Sequence, residues 1–84
     1  MPWDEGSAKR FGTGLRRLRE ERGLSQESLA FQAGITKNQV QLIEGGRGSG
    51  RKGDTTHSNP RMATIVGIAD VLQLTPAELL SQIG

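Results

Sequence analysis

The corner Ala33-Gly34-Ile35-Thr36 constrains this chain more than any other stretch. Glycine adopts the left-handed backbone that ends a helix at little cost, and threonine two residues later carries a hydroxyl suited to cap the next one. Two short helices must therefore meet here, with Ile35 plugging the corner. Upstream, Ser25 is a cap, Gln26, Glu27 and Ser28 suit a first turn, and Leu29, Ala30 and Ala33 form one apolar face. Downstream, a helix is expected over Lys37–Glu44. At ~100° per residue, Val40 and Ile43 point inward while Asn38, Gln41 and Leu42 point outward, with Lys37 and Gln39 at the margins. Amides and a cation on a helix face match purine edges in a major groove, and a helix N-terminus favours phosphate. An ordinary solvated face has the same composition, so the surrounding motif has to decide between the two.

That motif, LSQESLAFQAGITKNQVQLIE from Leu24, resembles the helix-turn-helix of phage Cro/C1 repressors and XRE-type regulators. Gln26 stands at the second position of the first helix, Leu29 and Ala30 lie inside it, Ala33 to Thr36 form the turn, and Val40, Ile43 and Glu44 close the second helix. The resemblance covers about Phe11–Leu80 without the long loop described below. It implies an all-α, five-helix repressor-like domain with the motif at its second and third helices. It also implies a regulator that binds double-stranded DNA as a homodimer on an inverted-repeat site. Gln26, Thr36 and Lys37 are then candidates for holding the DNA backbone, Asn38 and Gln41 for reading base edges, and Gln39 and Leu42 for secondary contacts. The resemblance further implies that Arg19 pairs with Glu44, tying the first helix to the third, and that the C-terminal helices form the two-fold interface. Two residues depart from the family pattern. Phe31 replaces a polar residue and is expected beneath the long loop or over the N-terminal segment. Leu42 replaces a polar base reader, and either meets a thymine methyl or covers the base of the loop.

At 84 residues the chain buries one modest core, and so small a domain gains from extra support. It has no cysteine for disulfides or thiolate metal sites, and one histidine, His57, without companion ligands. Neither cofactor nor metal is expected, and dimerisation is the remaining route. No catalytic constellation is present, which argues against an enzyme. No run is long enough to span a bilayer and the N-terminus lacks a secretory signal's apolar core, so a cytoplasmic protein is expected. The net charge of +2 hides a segregation. Residues 45–61 hold four basic groups against one acidic, whereas residues 62–84 hold two acidic groups and no basic one. Basic segments beside a groove-reading helix are the electrostatic footprint of a DNA binder.

In chain order, residues 1–7 read as a flexible tail in which Trp3 has no assigned role, followed by a domain over 8–84. Ser7 is expected to cap a helix over Ala8–Arg22 whose inward stripe is Phe11, Leu15 and Leu18. Gly12 and Gly14 weaken that helix by about 1 kcal/mol each relative to alanine, so it needs tertiary contacts or close approach of another chain. Residues 45–59 contain no apolar side chain and read as an inserted flexible loop. Its Arg47, Arg51 and Lys52 leave the groove-reading helix directly, which suggests a basic arm that orders on DNA. After Pro60, Met62, Ile65, Ile68, Ala69 and Leu72 share a helical face, and Thr75 with Pro76 and Glu78 starts a last helix over Pro76–Gln82. Val66, Val71, Leu80 and Ile83 are left as surplus apolar groups, the expected dimer surface. The alternative is a protein-interaction module, such as an antitoxin or anti-repressor subunit, that offers the same surplus to a different protein partner.

Overall fold

The computed structural model describes residues 3–53 and 55–81. Five helices run in order: α1 Glu5–Glu21, α2 Gln26–Ala33, α3 Lys37–Glu44, α4 Met62–Val71 and α5 Pro76–Leu80. Among the described residues the only extended pairing is one antiparallel bridge, between Arg47 and His57.

The helix ends follow from local chemistry. Ser25 caps α2 by accepting from the Ser28 amide, and Gly34 ends it at φ +74°, which lets the Ile35 amide reach back to the Ala30 carbonyl. Thr36 and Thr75 cap α3 and α5 with complete capping boxes, closed by Gln39 and Glu78. α1 differs from expectation. Its cap is Asp4, whose carboxylate accepts from both the amide and the hydroxyl of Ser7, so the helix starts at Glu5 and Ser7 is a buried residue of its first turn. Those hydrogen bonds, the amide first, hold the Asp4 carboxyl below its usual range. The turn from α4 to α5 passes through Gln73 at φ +59°, a left-handed position held here by a residue other than glycine.

Phe11 and Leu15 of α1, Leu29 and Ala30 of α2, Val40 and Ile43 of α3, Ile65, Ile68 and Ala69 of α4, Leu72 and Leu79 make one core. Two glycines set how closely its walls approach. A Cβ on Gly12 would stand 2.6 Å from the Glu44 carbonyl oxygen, so α1 crosses the end of α3 backbone against backbone. A Cβ on Gly67 would stand 2.9 Å from the Ala33 carbonyl oxygen, so α4 also comes close to the end of α2, though less tightly. The helix-turn-helix is thus braced at two places, by α4 at the corner between α2 and α3 and by α1 at the far end of α3.

Trp3 belongs to this folded body. Its ring meets Phe11 edge-on with centroids 5.6 Å apart, and its indole N–H donates to the Ser58 carbonyl at 2.5 Å. The inserted loop is also organised at its base. The Gly48 amide donates to Thr56 at 2.9 Å and the Ser58 amide to Gly46 at 3.0 Å, which makes a two-stranded stem around the Arg47 and His57 pair. Ser58 is buried. A loop without apolar side chains is tied down by its own backbone hydrogen bonds and by a tryptophan from the other end of the chain.

Candidate nucleic-acid interface

α3 presents Lys37, Asn38, Gln39 and Gln41 to solvent and buries Val40 and Ile43. Its hold on the rest of the molecule is polar at its far end. Arg19 Nε donates to Glu44 Oε2 at 2.6 Å and Arg19 Nη2 to Glu44 Oε1 at 3.1 Å, a two-point guanidinium-carboxylate pair. Arg19 Nη1 donates to the Leu24 carbonyl at 2.8 Å, and the Gln26 amide donates to Glu44 Oε1 at 3.0 Å. Helices α1, α2 and α3 therefore meet on one carboxylate. Arg19 is only 8% exposed, and its hydrogen bond with Glu44 raises its pKa further, so the cation is permanent. Every buried side-chain nitrogen and oxygen among the described residues has a partner.

Two grooves flank α3. One is lined by Arg16, Arg19, Ser25, Gln26, Glu27 and Lys37, so the N-termini of α2 and α3 open into the same space. Two helix N-termini with Lys37 and Arg16 beside them favour an anion there, against the single carboxylate of Glu27. The other groove is lined by Gln39, Leu42, Arg47 and Gly48 on one side and by Asn59, Pro60, Arg61 and Thr64 on the other. The fold thus gathers Gln26 and Lys37 into one groove, and Gln39, Leu42 and Arg47 into the other, with Asn38 and Gln41 exposed on the helix between their ends.

The fold gives each of the expected residues a particular setting. Thr36 and Gln39 spend their side-chain oxygens on each other's backbone amides, at 2.8 and 3.0 Å, so what they offer outward is the Gln39 NH2 group and the hydroxyl hydrogen of Thr36. Gln26 likewise commits one amide hydrogen to Glu44 and keeps the other. Leu42 is half-buried and lines the groove beside Arg47 and Gly48 at the loop base. Phe31 is 86% exposed and packs under neither the loop nor the N-terminal segment, because α2 turns its other side to the core. Of the apolar surplus, Val71 and Leu80 are half-buried against the core, whereas Val66 and its neighbour Met62 are 48% and 63% exposed. Ile83 lies outside the described residues. Arg51 and Lys52 are exposed beyond the stem that Arg47 begins.

Arg16, which reads in the sequence as part of an ordinary charged helix face, and Arg61, outside the expected site, each line a groove beside α3. Arg16 precedes Arg19 by one helical turn, so the spacing that places Arg19 at Glu44 also places Arg16 on that side. Among the described residues no cluster of His, Cys, Asp or Glu could hold a metal ion, and no helix is long and apolar enough to cross a membrane.

An outward amide-bearing helix, braced across a glycine corner and locked by a buried ion pair, is the architecture of helix-turn-helix DNA-binding regulators. The chain belongs to that family: residues 10–81 match the helix-turn-helix domain, and the relatives are of the Cro/C1-like XRE type. It is similar to the restriction-modification controller protein C.AhdI from Aeromonas hydrophila, with 35% identity over 86% of this chain and 94% of that one, at a TM-score of 0.71. The master regulator for biofilm formation SinR, solved in complex with DNA, is 28% identical over 83% of this chain and 97% of its own, at a TM-score of 0.64. The clp gene regulator ClgR from Corynebacterium glutamicum shares the fold, with 17% identity over 92% of this chain and 71% of its own, at a TM-score of 0.74. No match was found among curated protein sequences. The family is one of DNA-binding regulators and not an enzyme class.

Proposed function

We propose that the chain is a sequence-specific transcriptional regulator that binds an inverted-repeat operator as a homodimer, with one α3 helix in each of two successive major grooves about 34 Å apart. The observation that carries this reading is the state of α3. Its Asn38 and Gln41 side chains are exposed on a helix that the Arg19, Gln26 and Glu44 network fixes in place, so they meet a groove without first paying for order. The relative solved on DNA lends the same support.

In this reading Gln26, Thr36 and Lys37 hold phosphates beside the first groove, with Arg16 joining them. Asn38 and Gln41 read base edges, and Gln39 makes a secondary contact. Leu42, half-covered by the loop base, keeps only an edge for a thymine methyl. Arg47, Arg51 and Lys52 neutralise backbone phosphates beyond the groove. The exposed Val66 and Met62 centre the contact between protomers, and the protein acts in the cytoplasm with no catalytic step of its own.

The test is selection of bound duplexes from a random pool, followed by titration of Asn38→Ala and Gln41→Ala on the selected site and on unrelated DNA. Each change should cost about 1–3 kcal/mol on the selected site and leave non-specific binding nearly unchanged. Equal losses on both DNAs would remove base reading from α3.

A further inference from the structure

The loop after α3 is attached to the body at two points, and the second is unexpected. Its entry strand follows directly from α3, where the Arg47 amide donates to the Leu42 carbonyl at 2.9 Å. Its exit strand ends at Ser58, whose amide donates to Gly46 and whose carbonyl accepts the indole N–H of Trp3. Trp3 stands 55 residues away in sequence, and its ring rests edge-on against Phe11 in the core. The same ring lines a small hollow with Pro60, Met62, Ile65 and Leu80. One side chain thereby joins α1 to the exit strand.

The pairing of Arg47 with His57 is flanked by the two stem hydrogen bonds and is itself of the non-hydrogen-bonded kind, which puts both side chains on one face of the stem. The direction in which the stem leaves the body thus sets where Arg47, and beyond it Arg51 and Lys52, are carried. The entry strand is seated by Gly46, buried against the Lys9 backbone of α1, and the exit strand by the hydrogen bond from Trp3 to Ser58.

We propose that Trp3 is a positioning residue for DNA binding: it clamps the exit strand so that the stem presents its cations to the phosphate backbone in a preset orientation. This rests on the reading of the loop as a DNA arm. It refines the expectation of a tether that orders on DNA, because the base of the loop is already paired as a stem. Holding a charged segment near its bound position lowers the entropy given up on association. Trp3 therefore acts through the arm and makes no contact with DNA itself.

The experiment is a set of salt titrations on one selected duplex with four proteins: wild type, Trp3→Phe, the triple change of Arg47, Arg51 and Lys52 to Ala, and the combination. Phenylalanine keeps a ring against Phe11 and removes the N–H that holds Ser58. Each phosphate neutralised contributes ~0.9 to the slope of log K against log salt, so the triple change should lower the slope by up to ~2.7 per protomer. Trp3→Phe should weaken binding about three- to tenfold in the wild-type background and leave the triple-change background unaltered, since a clamp has no effect once its cargo is gone. Hydrogen exchange adds a readout independent of DNA: the Gly48 and Ser58 amides should exchange faster in Trp3→Phe while Val40 in α3 is unchanged. Superimposable slopes for wild type and the triple change would show the arm idle and overturn the arm reading together with the clamp. Slopes that differ, with Trp3→Phe equally harmful in both backgrounds or harmless in both, would overturn the clamp alone. If Trp3→Phe leaves the exchange of Gly48 and Ser58 unchanged, the clamp also fails.

Discussion

The Cα of Gly12 lies so close under the end of α3 that a methyl group added to it would stand 2.6 Å from the carbonyl oxygen of Glu44. Side chain and backbone of Glu44 are both held by α1, the first through Arg19 and the second through this approach. Gly12→Ala would gain about 1 kcal/mol of helix propensity in isolation. In the folded chain it should instead destabilise by about 1–3 kcal/mol, because backbone has to move to admit the methyl. Urea unfolding measures the difference, with the exposed neighbour change Thr13→Ala as the comparison. A Gly12→Ala protein more stable than wild type would mean that α1 and α3 separate at no cost.

The Arg19 and Glu44 pair yields an asymmetric expectation. Arg19→Met leaves a carboxylate in a largely buried place with only Gln26 to bond it, and should cost about 3–5 kcal/mol. Changing both residues to Met should cost much less than the sum of the two single changes, since no charge is then stranded. A double-mutant cycle by denaturant unfolding measures this. Single changes that each cost under about 1 kcal/mol would place the pair with ordinary surface ion pairs.

Gln73 occupies a left-handed turn that a side chain disfavours, and the backbone bond from the Leu74 amide to the Ala69 carbonyl depends on that conformation. Gln73→Gly should raise stability by about 0.5–1 kcal/mol and shift the melting temperature upward. An unchanged or lower melting temperature would show that the Gln73 side chain compensates for its strain.

Val66 tests the proposed assembly. Val66→Glu places a charge beside Met62 on the exposed apolar patch of α4, and should convert a dimer to a monomer in sedimentation while the unfolding midpoint moves little. Phe31→Glu, on α2, should leave the dimer intact. The reverse pattern would move the contact between protomers to α2.

The parts of this fold that show in the sequence are those written locally. Ser25, Thr36 and Thr75 are caps, Gly34 is the corner, and the spacing of Phe11, Leu15, Ile65, Ile68 and Leu72 marks the faces that meet in the core. What does not show depends on approach between distant segments. Ser7 and Asp4 are both competent caps, and the earlier one wins because Ser7 is drawn into the body. Trp3 reads as a stray tail residue until the exit strand of the loop comes to meet it. Val71 and Leu80 read as surplus on a helical projection, yet both pack half-buried against the core. In the candidate interface, the outward set on α3 is legible from its period. The capture of Thr36 and Gln39 by each other is legible only once the capping box is drawn.

The stem has one more consequence. Gly46 and Ser58 are hydrogen-bonded neighbours, so the two ends of the insertion emerge side by side. For a flexible segment each doubling of length costs only about 0.6 kcal/mol in closure entropy. The span beyond the stem is therefore a module whose length and charge evolution can rewrite, or an engineer can exchange, while the helix-turn-helix beneath keeps its geometry.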